Sequence, residues 1–108
     1  MGGVSIQLSV EELFAQVAGW DFGYLLTGTD GRPHLIALRP AVVDGVLRFD
    51  AGGGRACKNA IERLEVSVVF PPHAGSDGFS LVVDGDATVD GDFVDVRPTR
   101  VLLHRPAP

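Results

Sequence analysis

Five Asp-Gly pairs, at Asp30-Gly31, Asp44-Gly45, Asp77-Gly78, Asp84-Gly85 and Asp90-Gly91, cut the chain into short segments. Glycine takes a positive φ without a Cβ clash, and aspartate tolerates one. The pair therefore suits a two-residue hairpin turn whose twist matches the flanking strands. The runs between the pairs are rich in β-branched and aromatic residues. They predict strands over residues 23–28, 34–43, 46–51, 65–70, 79–83 continuing through 87–89, and 93–104. Pro40 bends or edges the second strand, and Pro71-Pro72 stop the fourth. Pro98 makes the middle of the last strand an edge or a bulge, because proline has no N–H for the ladder. Tight hairpins make the sheet mainly antiparallel. Six antiparallel strands in a chain of 108 residues suit a barrel, which leaves no exposed edge.

Two stretches break the β pattern. Ser9-Val10-Glu11-Glu12 reads as a capping box, in which the Ser9 hydroxyl accepts the Glu12 amide and the Glu12 side chain reaches back to the Ser9 amide. Leu13, Phe14 and Val17 then share one helical face, so a short helix is expected over residues 10–18, ended by Gly19. A second helix is expected after Gly52-Gly53-Gly54. Ala56, Ala60, Ile61 and Leu64 have helical spacing, with Arg55, Lys58, Glu62 and Arg63 mostly on the other side. The order is helix, three strands, helix, three strands, within a single domain over residues 1–108. A chain this short buries a modest fraction of its surface, so a second copy would add needed burial.

Nine Lys and Arg stand against fourteen Asp and Glu, a formal charge of -5. General nucleic-acid binding needs a cationic face to displace counterions, so nucleic acid is not expected as a partner. One cysteine, Cys57, permits no intrachain disulfide. No apolar run approaches the ~20 residues of a membrane span, so no membrane partner is expected. The first eight residues lack the basic start and apolar stretch of a signal peptide. A cytoplasmic protein is the expectation.

The segment Gly52-Gly53-Gly54-Arg55 is the most informative for chemistry. Glycines leave backbone N–H groups open to an anion. The helix that follows aims its free N–H groups and positive dipole end the same way. Arg55 adds a planar donor fork, and Lys58 lies about one turn on. Together they form a phosphate cradle; the alternative is a flexible connection with solvated charges. His34, His73 and His104 have no metal-ligand spacing, and no metal is expected. His34 is expected to point outward from its strand, His73 to lie in a loop, and His104 in a solvated terminus. Ser80 and Thr27 have no adjacent base, so a hydrolase triad has no support. Cys57 is expected to be a buried helix residue rather than a reactive thiol. Trp20, Phe22 and Tyr24 are expected to fill the barrel mouth or a subunit contact.

Read in order, these pieces resemble the pyridoxamine 5'-phosphate oxidase-like family of flavin-binding split barrels. The likeness covers residues 22–103. It begins with Gly23-Tyr24-Leu25-Leu26-Thr27 and Gly31-Arg32-Pro33-His34-Leu35. It continues through Leu47-Arg48-Phe49-Asp50, Gly54-Arg55-Ala56-Cys57-Lys58-Asn59-Ala60-Ile61 and Val66-Ser67-Val68-Val69. It ends with the strand 79–89 and with Val101-Leu102-Leu103-His104-Arg105-Pro106, which resembles a compact actinobacterial subgroup. The resemblance implies a mainly β fold, a six-stranded antiparallel split barrel with two short helices. It implies a homodimer with flavin mononucleotide (FMN) at the subunit interface, and an oxidoreductase of unassigned substrate. By position, Arg55 would hold the phosphate with help from Lys58, Gly53 and Gly54. Leu35, Ile36, Ala37, Leu38 and Arg39 would flank the isoalloxazine ring. A deazaflavin (F420) or heme in the same groove is one alternative; a cofactor-free dimeric scaffold is another. Many members carry a lysine two residues after the position of Arg55. Here Cys57 stands there, and Lys58 follows about 100° further round the helix. The chain also ends before the segment that binds the pyridoxal substrate in the true oxidases, so pyridoxamine phosphate oxidation is not expected.

Overall fold

The computed structural model describes residues 2–28 and 30–108. It is a curled, wholly antiparallel sheet with two short helices. The strands are β1 (Val4–Leu8), β2 (Gly23–Thr27), β3 (His34–Leu38), β4 (Ala41–Val43), β5 (Val46–Asp50), β6 (Glu65–Phe70), β7 (Ser80–Asp90) and β8 (Phe93–Arg105). Helix α1 (Val10–Gln16) runs into a single 3-10 turn, and α2 (Gly54–Glu62) lies between β5 and β6. The sheet order is β3-β2-β6-β7-β8-β5-β4, with β1 also on β8. β8 is the longest strand. β7 pairs with almost all of it, while β5 takes Phe93 to Val96 and β1 takes Val101 to Arg105.

The described residues hold eight strands, two more than the six expected. Arg39-Pro40 divides the expected strand 34–43 into β3 and β4, which sit at opposite ends of the sheet path. Proline has no N–H for a ladder and restricts the residue before it, so the chain turns a corner there. β1 is the other addition. Its side chains are mostly exposed, so it carries little hydrophobic signal, and only its pairing with the end of β8 defines it. His104 is exposed, as expected, and the same pairing holds it in β8 with its Nδ1 2.9 Å from the Ser5 hydroxyl.

The Asp-Gly pairs serve different ends. Asp44 and Gly45 both have positive φ, the type I′ turn that joins β4 to β5. Asp90 ends β7, and the turn is Gly91-Asp92, one residue later than expected. Asp84-Gly85 is no turn at all. It sits inside β7 opposite a bulge, where Asp84 faces Arg100 and Gly85 faces Pro98, leaving Thr99 as the extra residue. Burial in β8 records the slip: Val94, Val96 and Pro98 are buried, then Val101 in place of residue 100. A Cβ at Gly85 would lie 2.6 Å from the Arg97 carbonyl oxygen, so close strand approach, and not a turn, requires this glycine.

The core lies on the concave face. Leu25, Leu47, Phe49, Val68, Phe70, Leu81, Val83, Val94 and Val96 alternate inward along their strands. α1 packs on β8 and contributes the fully buried Leu13. Its capping box is built as expected, with Ser9 N donating to Glu12 Oε1 at 2.9 Å and Glu12 N to Ser9 Oγ at 3.1 Å. Trp20 is buried, its ring edge-on to His73 at 4.6 Å, while Phe22 and Tyr24 pair with each other further out. Among the described residues, no helix is long and apolar enough to cross a membrane.

One ion pair ties β5 to β8. Arg48 donates to both carboxylate oxygens of Asp95 at 2.8 and 2.9 Å, and its guanidinium also lies over the Phe93 ring. The hydrogen bonds from Arg48 hold the Asp95 carboxyl below its ordinary value, outweighing desolvation. A depressed carboxyl stabilises the fold above its unfolded pKa and loses that contribution as pH falls through the folded one. Asp95→Asn is therefore expected to lower the melting temperature at pH 7. The gap to the parent should narrow as pH drops below about 4, the ordinary aspartate range. Thermal melts at pH 7, 5 and 3 check this, and a gap that widens in acid would contradict it.

Candidate functional site: a cationic groove at the start of α2

The three glycines that lead into α2, Gly54 being its first residue, all have positive φ, 63°, 73° and 68° at Gly52, Gly53 and Gly54. Side chains rarely adopt this conformation, so three in succession demand glycine. The Gly52 amide is already used, donating to Asp50 Oδ1 at 3.1 Å. Gly53 is the N-cap and offers no side-chain acceptor to the first turn, which also carries no acidic residue. No side chain therefore caps the opening amides of α2.

The buried stripe of α2 is Ala56, Cys57, Asn59 and Ala60. This corrects the expectation that Ile61 and Leu64 face the core, for they are 71% and 49% exposed. Small side chains let the helix lie close on β2, β7 and β8, and this rotation turns Ile61 outward. It also answers the question posed by Cys57. That position faces inward, its thiol 3.5 Å from the Asp92 carbonyl oxygen, and burial pushes the thiol pKa up. Such a thiol is protonated and unreactive at neutral pH. Residue 58 faces outward, and the Lys58 side chain is exposed.

The outward side of α2 and the β2–β3 connection enclose a groove of about 540 Å³, lined by Gly31, Arg32, Gly54, Arg55, Lys58, Asn59 and Glu62. Its charge is unusual for an acidic chain. Of the nine Lys and Arg, Arg39, Arg48, Arg97, Arg100 and Arg105 are in ion pairs with aspartates. The remaining four are Arg32, Arg55, Lys58 and Arg63, which have no ion-pair partner among the described residues. Three of them line this groove. The fourth, Arg63, follows α2 and crosses Gly28 at the end of β2. Asn59, only 4% exposed, also lines the groove, and its Nδ2 donates to the buried Thr27 hydroxyl at 3.2 Å.

His34 stands opposite Thr27 on β3 and shares its inward side. Its Nδ1 is buried with no hydrogen-bond partner among the described residues, which corrects the expectation of an outward ring. Nothing adjacent in sequence signalled this; the cross-strand register sets it. Arg32 likewise carries no local signal of a site. The Gly31-Arg32-Pro33 run reads as hairpin chemistry, and only the fold brings it to α2.

The residues Leu35 to Arg39 lie along β3 and do not form a single surface. Leu35 and Ala37 are exposed on the outer face, with Tyr24 and Leu26 of β2 as their cross-strand partners. Ile36 and Leu38 turn inward and pack against the core. Arg39 is held by Asp21 at 3.0 Å and lines a separate shallow groove with Phe22, Ala37 and Leu38. The structure thus brings Gly54, Arg55 and Lys58 together and sets Gly53 just before them. It leaves the β3 set on the neighbouring edge.

A scan against protein-family models finds no match. Among solved structures, an FAD-binding protein from Mesorhizobium loti superposes with a TM-score of 0.73 at 20% identity, over 95% of this chain and 98% of that one. The FAD-binding protein from Mycobacterium smegmatis gives 0.72 at 23% identity, over 96% and 100%. An F420 reductase gives 0.61 at 20% identity, over 74% and 87%. These likenesses establish the split-barrel fold. By sequence, uncharacterized proteins of Mycobacterium bovis and Mycobacterium tuberculosis are each 37% identical over 99% of this chain and 85% of their own length. The chain has the split-barrel fold, and it belongs to the family of these mycobacterial proteins.

Proposed function

We propose that this chain is a flavin-nucleotide-binding protein, FMN being the smallest ligand that satisfies its site, with the phosphate in the groove at the start of α2. The observation that carries the reading is the gathering of Arg32, Arg55 and Lys58, all unpaired, around one groove of an acidic chain. Unpaired cations that converge repel one another, and a bound anion relieves the repulsion. The Arg55 fork suits a phosphate's oxygens, Lys58 adds a compact charge, and the open amides of α2 extend the donor set. A bound flavin would supply the redox chemistry, while the protein supplies binding, orientation and shielding. FAD-binding proteins that share the fold support this ligand class, and an F420 reductase makes a deazaflavin the alternative ring system. The working unit in this reading is a homodimer with the ring between subunits. Its support is the apolar outer face of β2 and β3, where Leu35 is 57% and Tyr24 37% exposed beside Leu26 and Ala37.

The test is an absorbance spectrum of the purified protein, before and after adding FMN and desalting. Retained flavin bands are expected. A protein that neither keeps nor takes up flavin at micromolar concentration would overturn the reading. A deazaflavin or heme spectrum would reassign the ring.

A further inference from the structure

We propose that the groove is built for two phosphates, so that the ligand is a diphosphate such as that of flavin adenine dinucleotide (FAD), with Arg32 holding the second phosphate. The flavin part of this proposal rests on the reading above; the diphosphate part stands on the groove itself. Arg55 and Lys58 lie one turn apart on the same helix, and together they match the charge of one phosphate dianion. Arg32 comes from the opposite wall, the connection between β2 and β3, and lacks a carboxylate partner among the described residues. A third cation, on a separate wall, is placed to meet a second phosphate group across the cleft.

The floor is also built. Asn59 is more than nine-tenths buried, yet it lines the groove, and the Thr27 hydroxyl fixes its amide. That bond leaves the Asn59 side-chain carbonyl as an acceptor for a ligand hydroxyl. Glu62, one turn beyond Lys58 on α2, makes that end of the groove unfavourable for an anion. The phosphates are therefore confined to the stretch between Arg32 and the first turn of α2.

Two titrations on the parent protein and Arg32→Ala decide the matter. Arg32 is exposed and its side chain makes no hydrogen bond among the described residues, so the variant should fold; circular dichroism checks this. In the first titration, flavin fluorescence quenching follows FAD and FMN. The parent is expected to bind FAD about tenfold more tightly than FMN, the scale of one charge-assisted contact. Arg32→Ala should weaken FAD binding more than FMN binding and so abolish that preference. In the second, amide NMR shifts at Arg32, Arg55 and Lys58 follow inorganic pyrophosphate and inorganic phosphate. Pyrophosphate is expected to bind more tightly, and the advantage should vanish in the variant. Equal FAD and FMN affinities, or an Arg32→Ala loss shared equally by both, would overturn the proposal. Pyrophosphate selectivity without flavin binding would uphold the diphosphate groove and overturn the flavin reading alone.

Discussion

Replacing Phe49 with alanine is expected to destabilise the fold by about 3–5 kcal/mol, the range for removing a fully buried phenylalanine. Phe49 is completely shielded on the inner side of β5, opposite Val94 of β8, with Leu47 two residues before it. β5 holds this part of the curled sheet to β8. Small domains have total stabilities of about 5–15 kcal/mol, so the variant stands near the edge of folding. Urea denaturation measures the loss as a lower midpoint at unchanged slope. Ile61→Ala is the matched control. Ile61 is apolar but exposed on α2, and its replacement should change stability by less than about 0.5 kcal/mol. A loss below about 1 kcal/mol for Phe49→Ala, or a large loss for Ile61→Ala, would contradict the core described here.

The second large effect is on binding. The double variant Arg55→Ala, Lys58→Ala is expected to weaken FMN binding by about 100-fold, each charge-assisted contact being worth about tenfold. Both side chains are exposed and neither forms an ion pair within the described residues, so stability should hardly change. Two mutually repelling cations are in fact removed. Fluorescence titration gives the affinity, and thermal melts give the stability. Unchanged affinity in a folded double variant would move the phosphate away from α2. Cys57→Lys is a poor substitute for Lys58, because position 57 points at the Asp92 carbonyl oxygen and would bury the ammonium.

How much of this was legible in the sequence depends on whether a feature is local. The capping box at Ser9 and Glu12, the I′ turn at Asp44-Gly45 and the glycine run before α2 are local, and all are built as read. Of the edge or bulge expected at Pro98, a bulge forms, with Thr99 beside it as the extra residue. Features set by pairing were harder. β1 has almost no buried face, so no pattern marks it until β8 offers an edge. Asp84-Gly85 has the chemistry of a turn, but strand contacts keep β7 continuous through it. Ile61 has the right spacing for a core position, yet the smaller Ala56, Cys57 and Ala60 decide which side of α2 meets the sheet.

The candidate site divides the same way. Arg55 and Lys58 were visible because the glycines and the helix start adjoin them in sequence. Arg32 was hidden inside hairpin chemistry, and its role depends on a cleft that two distant segments create. The selection of unpaired cations was also invisible, because it is known only once the aspartate partners of the other five are placed.

The central claim is that the groove at α2 binds the phosphate of a flavin. The most direct measurement compares FMN with riboflavin, the same ring system without phosphate, by fluorescence titration of the unaltered protein. FMN should bind at least about tenfold more tightly, and the preference should fall as salt rises, because exposed cations carry it. Equal binding of the two, or binding of neither, would contradict the account.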